Sequence, residues 1–252
     1  MDSDTDLAEL RKQHTSEAIR HRLNKSQDHS YLRDFVYGGI DGAVTTFAVV
    51  SGVAGAGLPS GIVIVLGFAN LVGDGFSMAA SNYLGSKADL QLLQKARRKE
   101  EHQIQQFPEG EREEIRQIMS AKGFTGAALD DAVRTITADR RVWVDTMLRE
   151  ELGLALDRPD PVRAAVVTFV AFALIGFLPL IAFILDFLFE IPGSRPFLWS
   201  TVLTGMSFFT VGAIKSRFVQ DRWYMSGLET LAVGSCAAGL AYLTGMLLRG
   251  VV

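Results

Sequence analysis

The chain has 252 residues, 48 % of them hydrophobic and 21 % charged, with a formal net charge of −3 and a mean hydropathy of +0.21. Its single cysteine, Cys236, excludes an intramolecular disulfide framework and a multi-cysteine zinc site. No basic stripe with interleaved aromatics points to nucleic acid, and a positive hydropathy beside this many charges requires charge and apolarity to be segregated along the chain.

They are segregated. Residues 34–84 hold three charges, Asp34, Asp41 and Asp74, and residues 164–214 hold three more, Asp186, Glu190 and Arg195. Residues 85–163 hold 14 Lys/Arg and 15 Asp/Glu among 79 positions. The expectation is an all-α membrane protein: five transmembrane helices with a helical cytoplasmic insertion between the second and third. The chain divides into a tail (1–33), helices one and two (34–85), the insertion (86–161) and helices three to five (162–252).

In chain order, the tail begins with Asp2, Asp4 and Asp6 and has no apolar run, so no cleavable signal peptide is expected. The alternatives for the tail are an amphipathic helix over about residues 7–23 and a loose segment. The apolar segments are 35–57, 61–84, 162–185, 197–214 and 225–248, each near the ~20 residues that cross a bilayer core. A short uncharged turn, 58–60, joins the first two. Pro179 predicts a kink in the third. The insertion reads as four helices. The first continues out of the second span to residue 106. The second starts at Pro108 and ends at Gly123, the third is capped by Thr125, and the last spans about 138–156. Five spans put the termini on opposite sides. With a cytoplasmic N-terminus that side receives 23 Lys/Arg and the other receives two, Arg195 and Arg249.

Two patterns of small residues, Gly38 with Gly42 and Ala241 with Gly245, allow close helix contact. They fit packing within one bundle or a homodimer face. For Glu229, near the start of the fifth span, the alternatives are snorkelling to the cytoplasmic interface, pairing with Arg222 and, less favoured, a proton relay.

Ionisable groups inside a bilayer cost at least ~2.5–3.5 kcal/mol and so read as functional. At ~1.5 Å per residue, Asp41 and Met78 share a depth of about 9 Å from the cytoplasmic side, with Asp74 about 6 Å deeper. Asn70, Asp74, Met78 and Asn82 recur every four residues on the second span, and Thr45 and Thr46 add hydroxyls on the first. The alternatives are a polar seam between two helices and a path for a cation. Carboxylates with a thioether and no nearby cysteine suit Fe2+ or Mn2+ better than Mg2+, Ca2+ or copper(I). In the insertion, Glu100, Glu111, Glu114, Met147, Glu150 and Glu151 are candidate ligands of a second metal site, with His102 a further possibility. The alternative is a solvated, ion-paired surface. No cofactor beyond the metal is expected, and no arrangement of nucleophile and base suggests an enzyme.

The run Tyr37, Gly38, Gly39, Ile40, Asp41, Gly42 and the run Ala69 to Ala80, with Asn70, Gly73, Asp74, Ser77 and Met78, resemble the first two spans of the vacuolar iron transporter family. Trp143 to Leu154 resembles the end of its metal-binding domain. The resemblance, to a prokaryotic-type member, covers residues 31–250. It implies a dimeric, proton-driven exporter of Fe2+ and often Mn2+ from the cytosol, in a cell (inner) membrane if prokaryotic and a vacuolar membrane if eukaryotic. It also implies that Asp41 and Met78 line a path between two protomers. Glu114, Met147 and Glu151 match its cytosolic metal ligands, and Glu100 and Glu111 match in part. Two positions depart from the pattern: Asn82 stands where many members have glutamate, with Asp74 a candidate to replace that charge, and Leu148 stands for a second methionine. A rival function is a membrane-tethered metal buffer or sensor without transport.

Overall fold

A computed structural model describes residues 11–24, 30–190, 192–219 and 222–250, with the backbone alone at 21–24 and 219. The chain separates into two units, residues 1–30 and 31–252. In the first, α1 (Ser16–Asn24) is begun by Thr15, whose Oγ1 accepts from the Ala18 N–H at 3.3 Å. The expected helical residues 7–10 lie outside the described residues.

In the second unit every described element is helical: α2 (Leu32–Ala56), α3 (Ser60–Gln106), α4 (Pro108–Ala121), α5 (Gly126–Ala138), α6 (Arg140–Glu150), α7 (Pro161–Phe189), α8 (Pro196–Val219) and α9 (Trp223–Leu248). Five of them, α2, α3, α7, α8 and α9, are long and apolar enough to cross a membrane. The multi-pass helical architecture expected from the sequence is therefore present.

The α2–α3 turn is made by Gly57, left-handed at φ 72°, with the Leu58 N–H donating to the Val53 carbonyl at 3.1 Å. The positive φ of Gly57 is what favours glycine there, since the atoms a Cβ would meet belong to the movable end of the Arg249 side chain. From this turn α3 runs 47 residues without a break, about 70 Å at 1.5 Å per residue. Its first half is apolar and its second half charged, so one rod belongs to both the span and the insertion.

α2 is the centre of the bundle and packs on α3, α7, α8 and α9. Its closeness to α7 comes from glycine. A Cβ on Gly38 would lie 2.4 Å from the Thr168 carbonyl oxygen, and one on Gly42 would lie 2.4 Å from that of Phe172. At the other end Gly245 of α9 sits against the Gly52 carbonyl of α2. Both small-residue patterns are thus consumed inside one chain, which decides between the two uses the sequence allowed. Around them a core forms from Ala43, Phe47, Val50, Leu71, Phe172, Leu180 and Phe208. Among the described residues α3 touches only α2 and α7 of the spans, which leaves one side of it open there. Pro179 lies within the unbroken α7, and its carbonyl accepts from Ser200 Oγ at 2.6 Å.

The insertion has a separate core of Leu93, Ile104, Ile115, Met119, Val133, Trp143, Val144, Met147 and Leu148. Its helices pack on one another and on the outer half of α3. Two local expectations are corrected. Thr125 precedes α5 without a side-chain cap bond. The last helix is shorter than expected at both ends. Asp139 starts it by accepting from the Arg141 and Val142 N–H groups, and left-handed Gly153 (φ 62°) stops it. Asp160 caps α7, accepting from the Arg163 N–H at 2.8 Å, while its own N–H donates to Tyr31 Oη at 3.2 Å. That contact places the starts of α2 and α7 at one end of the bundle. Glu229 pairs with Lys215 at 2.7 Å, and Arg222 donates instead to Tyr224 Oη at 3.0 Å.

Candidate functional site

Two groups of polar side chains stand out, one within the spans and one in the insertion. Within the spans, Asp41 of α2 and Asp74 of α3 are close enough for their charges to interact. Asp41 is half-buried and Asp74 is exposed on the open side of α3. Thr45 and the buried Thr46 continue the α2 side. Thr45 Oγ1 donates to the Asp41 carbonyl at 2.9 Å, and Asn70 Nδ2 donates to both threonine hydroxyls at 3.1 Å. Asn70 thus ties α3 to α2 at the level one turn beyond the carboxylates. Met78 is half-buried against the apolar core.

Asn82 is placed differently. Its Nδ2 donates to Asp34 Oδ1 at 2.9 Å and to Thr168 Oγ1 at 2.7 Å, and its Oδ1 accepts from Ser86 Oγ at 3.2 Å. Residues four apart advance about 40° around an α-helix. Over Asn70, Asp74, Met78 and Asn82 the stripe therefore winds from α2 past the open face and round to α7. The four do not form one flat wall. Asp34, at the start of α2, is part of this knot of three helices.

In the insertion, Glu100 of α3 is 1 % exposed and Glu111 of α4 is 3 % exposed. Glu114 and Glu151 complete the group, and the charges of all four act on one another. Burial first, then repulsion by Glu114, Glu100 and Glu151, pushes the Glu111 carboxyl up to about 7. Burial and then Glu151 raise Glu100, and burial and then Glu114 raise Glu151. Glu100 Oε1, Glu111 Oε2 and Gln103 Oε1 are buried without a hydrogen-bond partner. Each such acceptor costs about 1–3 kcal/mol unless a donor or cation reaches it. Gln103 lies one turn from Glu100 on α3. A neutral amide among charged residues carried no signal in the sequence, and its buried oxygen is visible only in the fold.

Met147 is fully buried in the insertion core. Glu150 is exposed and pairs with Lys122 at 2.6 Å, so it is not among the clustered carboxylates. His102 is exposed. Among the described residues no three His, Cys, Asp or Glu side chains close to within coordination distance. The four carboxylates are near enough for their charges to act on one another, without closing to a coordination sphere.

The VIT family pattern matches residues 32–246. The chain belongs to the VIT family. It is 33 % identical to a vacuolar iron transporter of Toxoplasma gondii over 250 residues, covering 97 % of this chain and 82 % of that one. It is 31 % identical to vacuolar iron transporter 1 of Oryza sativa subsp. japonica over 84 % of this chain and 82 % of the relative. Vacuolar iron transporter 1 of Arabidopsis thaliana is 30 % identical over 84 % of this chain and 83 % of its own length. Both polar groups of this VIT-family chain lie inside the matched stretch.

Proposed function

We propose that the chain carries Fe2+ out of the cytosol, accepts Mn2+ at the same sites, and exchanges the metal for protons. The carrying observation is that Asp41 and Asp74 lie near enough for their charges to interact, inside two apolar spans whose residues 34–84 contain no Lys or Arg. Two carboxylates in a bilayer are costly, and a divalent cation between them offsets that cost. A proton offsets it too, so metal and protons compete for the same oxygens.

In this reading the N-terminus and the insertion are cytoplasmic, as the distribution of Lys and Arg supports. The insertion gathers metal on Glu100, Glu111, Glu114 and Glu151, with Met147 a soft ligand once the helices close. In this reading the rod of α3 holds that cluster about 27 Å out from the mouth at Asn82 and Asp34, at 1.5 Å for each residue from Asn82 to Glu100. The ion then passes Met78, Asp41 and Asp74 and meets the hydroxyls ordered by Asn70. Asp74 lies on a side of α3 that the chain leaves open, so a second copy completes the path. The names of the relatives support iron as the cargo, and nothing in the site calls for a nucleophile.

The test is metal flux in proteoliposomes with a pH gradient, comparing wild type with Asp41→Asn. Asparagine keeps the shape and removes the charge. It is cheaper to bury than an unpaired carboxylate, so the variant is expected to fold and its Fe2+ and Mn2+ flux to drop to background. Normal flux in the folded variant ends the path through Asp41, and metal binding without flux in wild type makes the protein a buffer or sensor.

A further inference from the structure

Basic side chains of the insertion are largely committed to acids outside the carboxylate cluster. Arg97 pairs with Asp145, Arg112 with Glu109 at 2.8 Å, Arg116 with Asp130 at 2.7 Å and Lys122 with Glu150 at 2.6 Å. Lys99 is different. Its Nζ stands 3.9 Å from Glu100 Oε1, outside hydrogen-bond reach, and that oxygen has no other partner. Its charge acts on Glu100, Glu111 and Glu151 together. The Lys99 side chain is 62 % exposed while that of Glu100 is 1 % exposed. The ammonium therefore stands at the rim of the cluster, above carboxylates that come from α3, α4 and the end of α6.

We propose that Lys99 is a built-in counter-ion of the cytoplasmic carboxylate cluster, which partly neutralises it and competes with an arriving divalent cation, so that this lysine sets the affinity of the site. The proposal rests on the reading of that cluster as a metal site. Lysine suits the task. Its charge is a point on a flexible stem rather than a planar fork locked on two oxygens, and with no short bond to break it swings into solvent as the metal enters. Each oxygen then exchanges a distant monovalent charge for a close divalent one. Coulomb repulsion between an ammonium and a divalent ion several ångströms apart, in a medium near water, amounts to about three- to tenfold in affinity.

The experiment uses the full-length protein in detergent, with Mn2+ as probe and the free-ion electron paramagnetic resonance signal as readout. Lys99→Gln is expected to bind Mn2+ about three- to tenfold more tightly than wild type. Lys99→Met serves as a second neutral variant should the first unfold. Lys99→Arg, which keeps the charge, and Arg134→Gln, which removes an exposed charge elsewhere on the insertion, are expected to stay within about twofold. Unchanged or weaker binding by the folded neutral variants overturns the proposal, as does an equal gain in Arg134→Gln. A Mn2+ site in wild type that is indifferent to Glu114→Ala with Glu151→Ala shows instead that the cluster itself is not the site, and removes the reading beneath the proposal.

Discussion

In the proposed cytoplasmic metal site, Glu111 is the residue that couples the metal to the proton. Its carboxyl is buried and faces Glu114, Glu100 and Glu151, which lifts it from 4.5 to about 7. A raised carboxyl favours the protonated fold, so its contribution to stability is complete below about 4.5 and is lost as pH rises through about 7. A divalent ion acts in the opposite sense, because it must displace the proton first. Stabilisation by Mn2+, read as the shift in thermal unfolding of the full-length protein, is expected to grow from about pH 5.5 to about pH 7.5 and then level off. A shift that is independent of pH over that range rules out Glu111 as a ligand. The sequence made Glu111 a candidate by its spacing from Glu114, since residues three apart share a helix face. It could not reveal the burial, which depends on α4 folding back over α3. For the same reason Glu150 read as equivalent to Glu151, although neighbours on a helix point about 100° apart and only Glu150 meets Lys122. Asn82 looked like a lost charge. In the fold its amide bridges Asp34 and Thr168, a role that needs a donor and that glutamate could not fill in its ionised form.

At the scale of elements, the number and order of the spans were legible because five apolar runs are separated by charges or turn residues. The extension of α3 was legible because no Gly or Pro interrupts residues 86–106. The end of α6 was not, because its stop depends on Gly153 taking a left-handed conformation after Leu148 and Met147 are buried. Partner choice among spans was also hidden. A short turn joins α2 to α3, yet the glycine-mediated close approaches of α2 are to α7, where Gly38 and Gly42 meet bare backbone, and to α9, where Gly55 and Gly245 do. Adding one methyl at Gly42 puts a Cβ 2.4 Å from the Phe172 carbonyl oxygen and 2.9 Å from its Cα, atoms that cannot turn aside. Gly42→Ala is therefore expected to destabilise the protein by about 1–3 kcal/mol through overpacking. Gly239→Ala on α9, with nothing within 4 Å, is expected to be neutral or stabilising by up to about 1 kcal/mol, as helix propensity favours alanine. Thermal unfolding of the two variants in detergent is the measurement. Equal midpoints would mean that the α2–α7 approach is not a determinant of stability.

For the whole molecule, the open side of α3 bears on how the proposed path is closed. Asp74 is exposed there, with Gly73, Ser77 and Ser81 also exposed and nothing within 4 Å of a Cβ at Gly73. Small residues four apart let two helix backbones approach closely in a membrane, and an acidic residue beside them is costly against lipid. Both features are satisfied if α3 meets α3 of a second copy about a two-fold axis. In such an isologous contact, residues near the axis face their own counterparts. The Gly38/Gly42 and Ala241/Gly245 patterns are unsuited to this, since Gly38, Gly42 and Gly245 are already filled by α7 and α2. The test is disulfide cross-linking in liposomes with Cys236, which is exposed on α9, first replaced by serine. Ser77→Cys in that background is expected to give a covalent dimer on mild oxidation. Val233→Cys on α9, 61 % exposed, is expected to remain a monomer, because that helix faces lipid. Added Mn2+ is expected to speed the Ser77→Cys reaction, since an ion held between two copies of Asp41 and Asp74 draws the α3 helices together. A covalent dimer formed through Val233→Cys but not through Ser77→Cys would move the interface to α9 and leave Asp74 facing lipid, and the two-copy path would then be untenable.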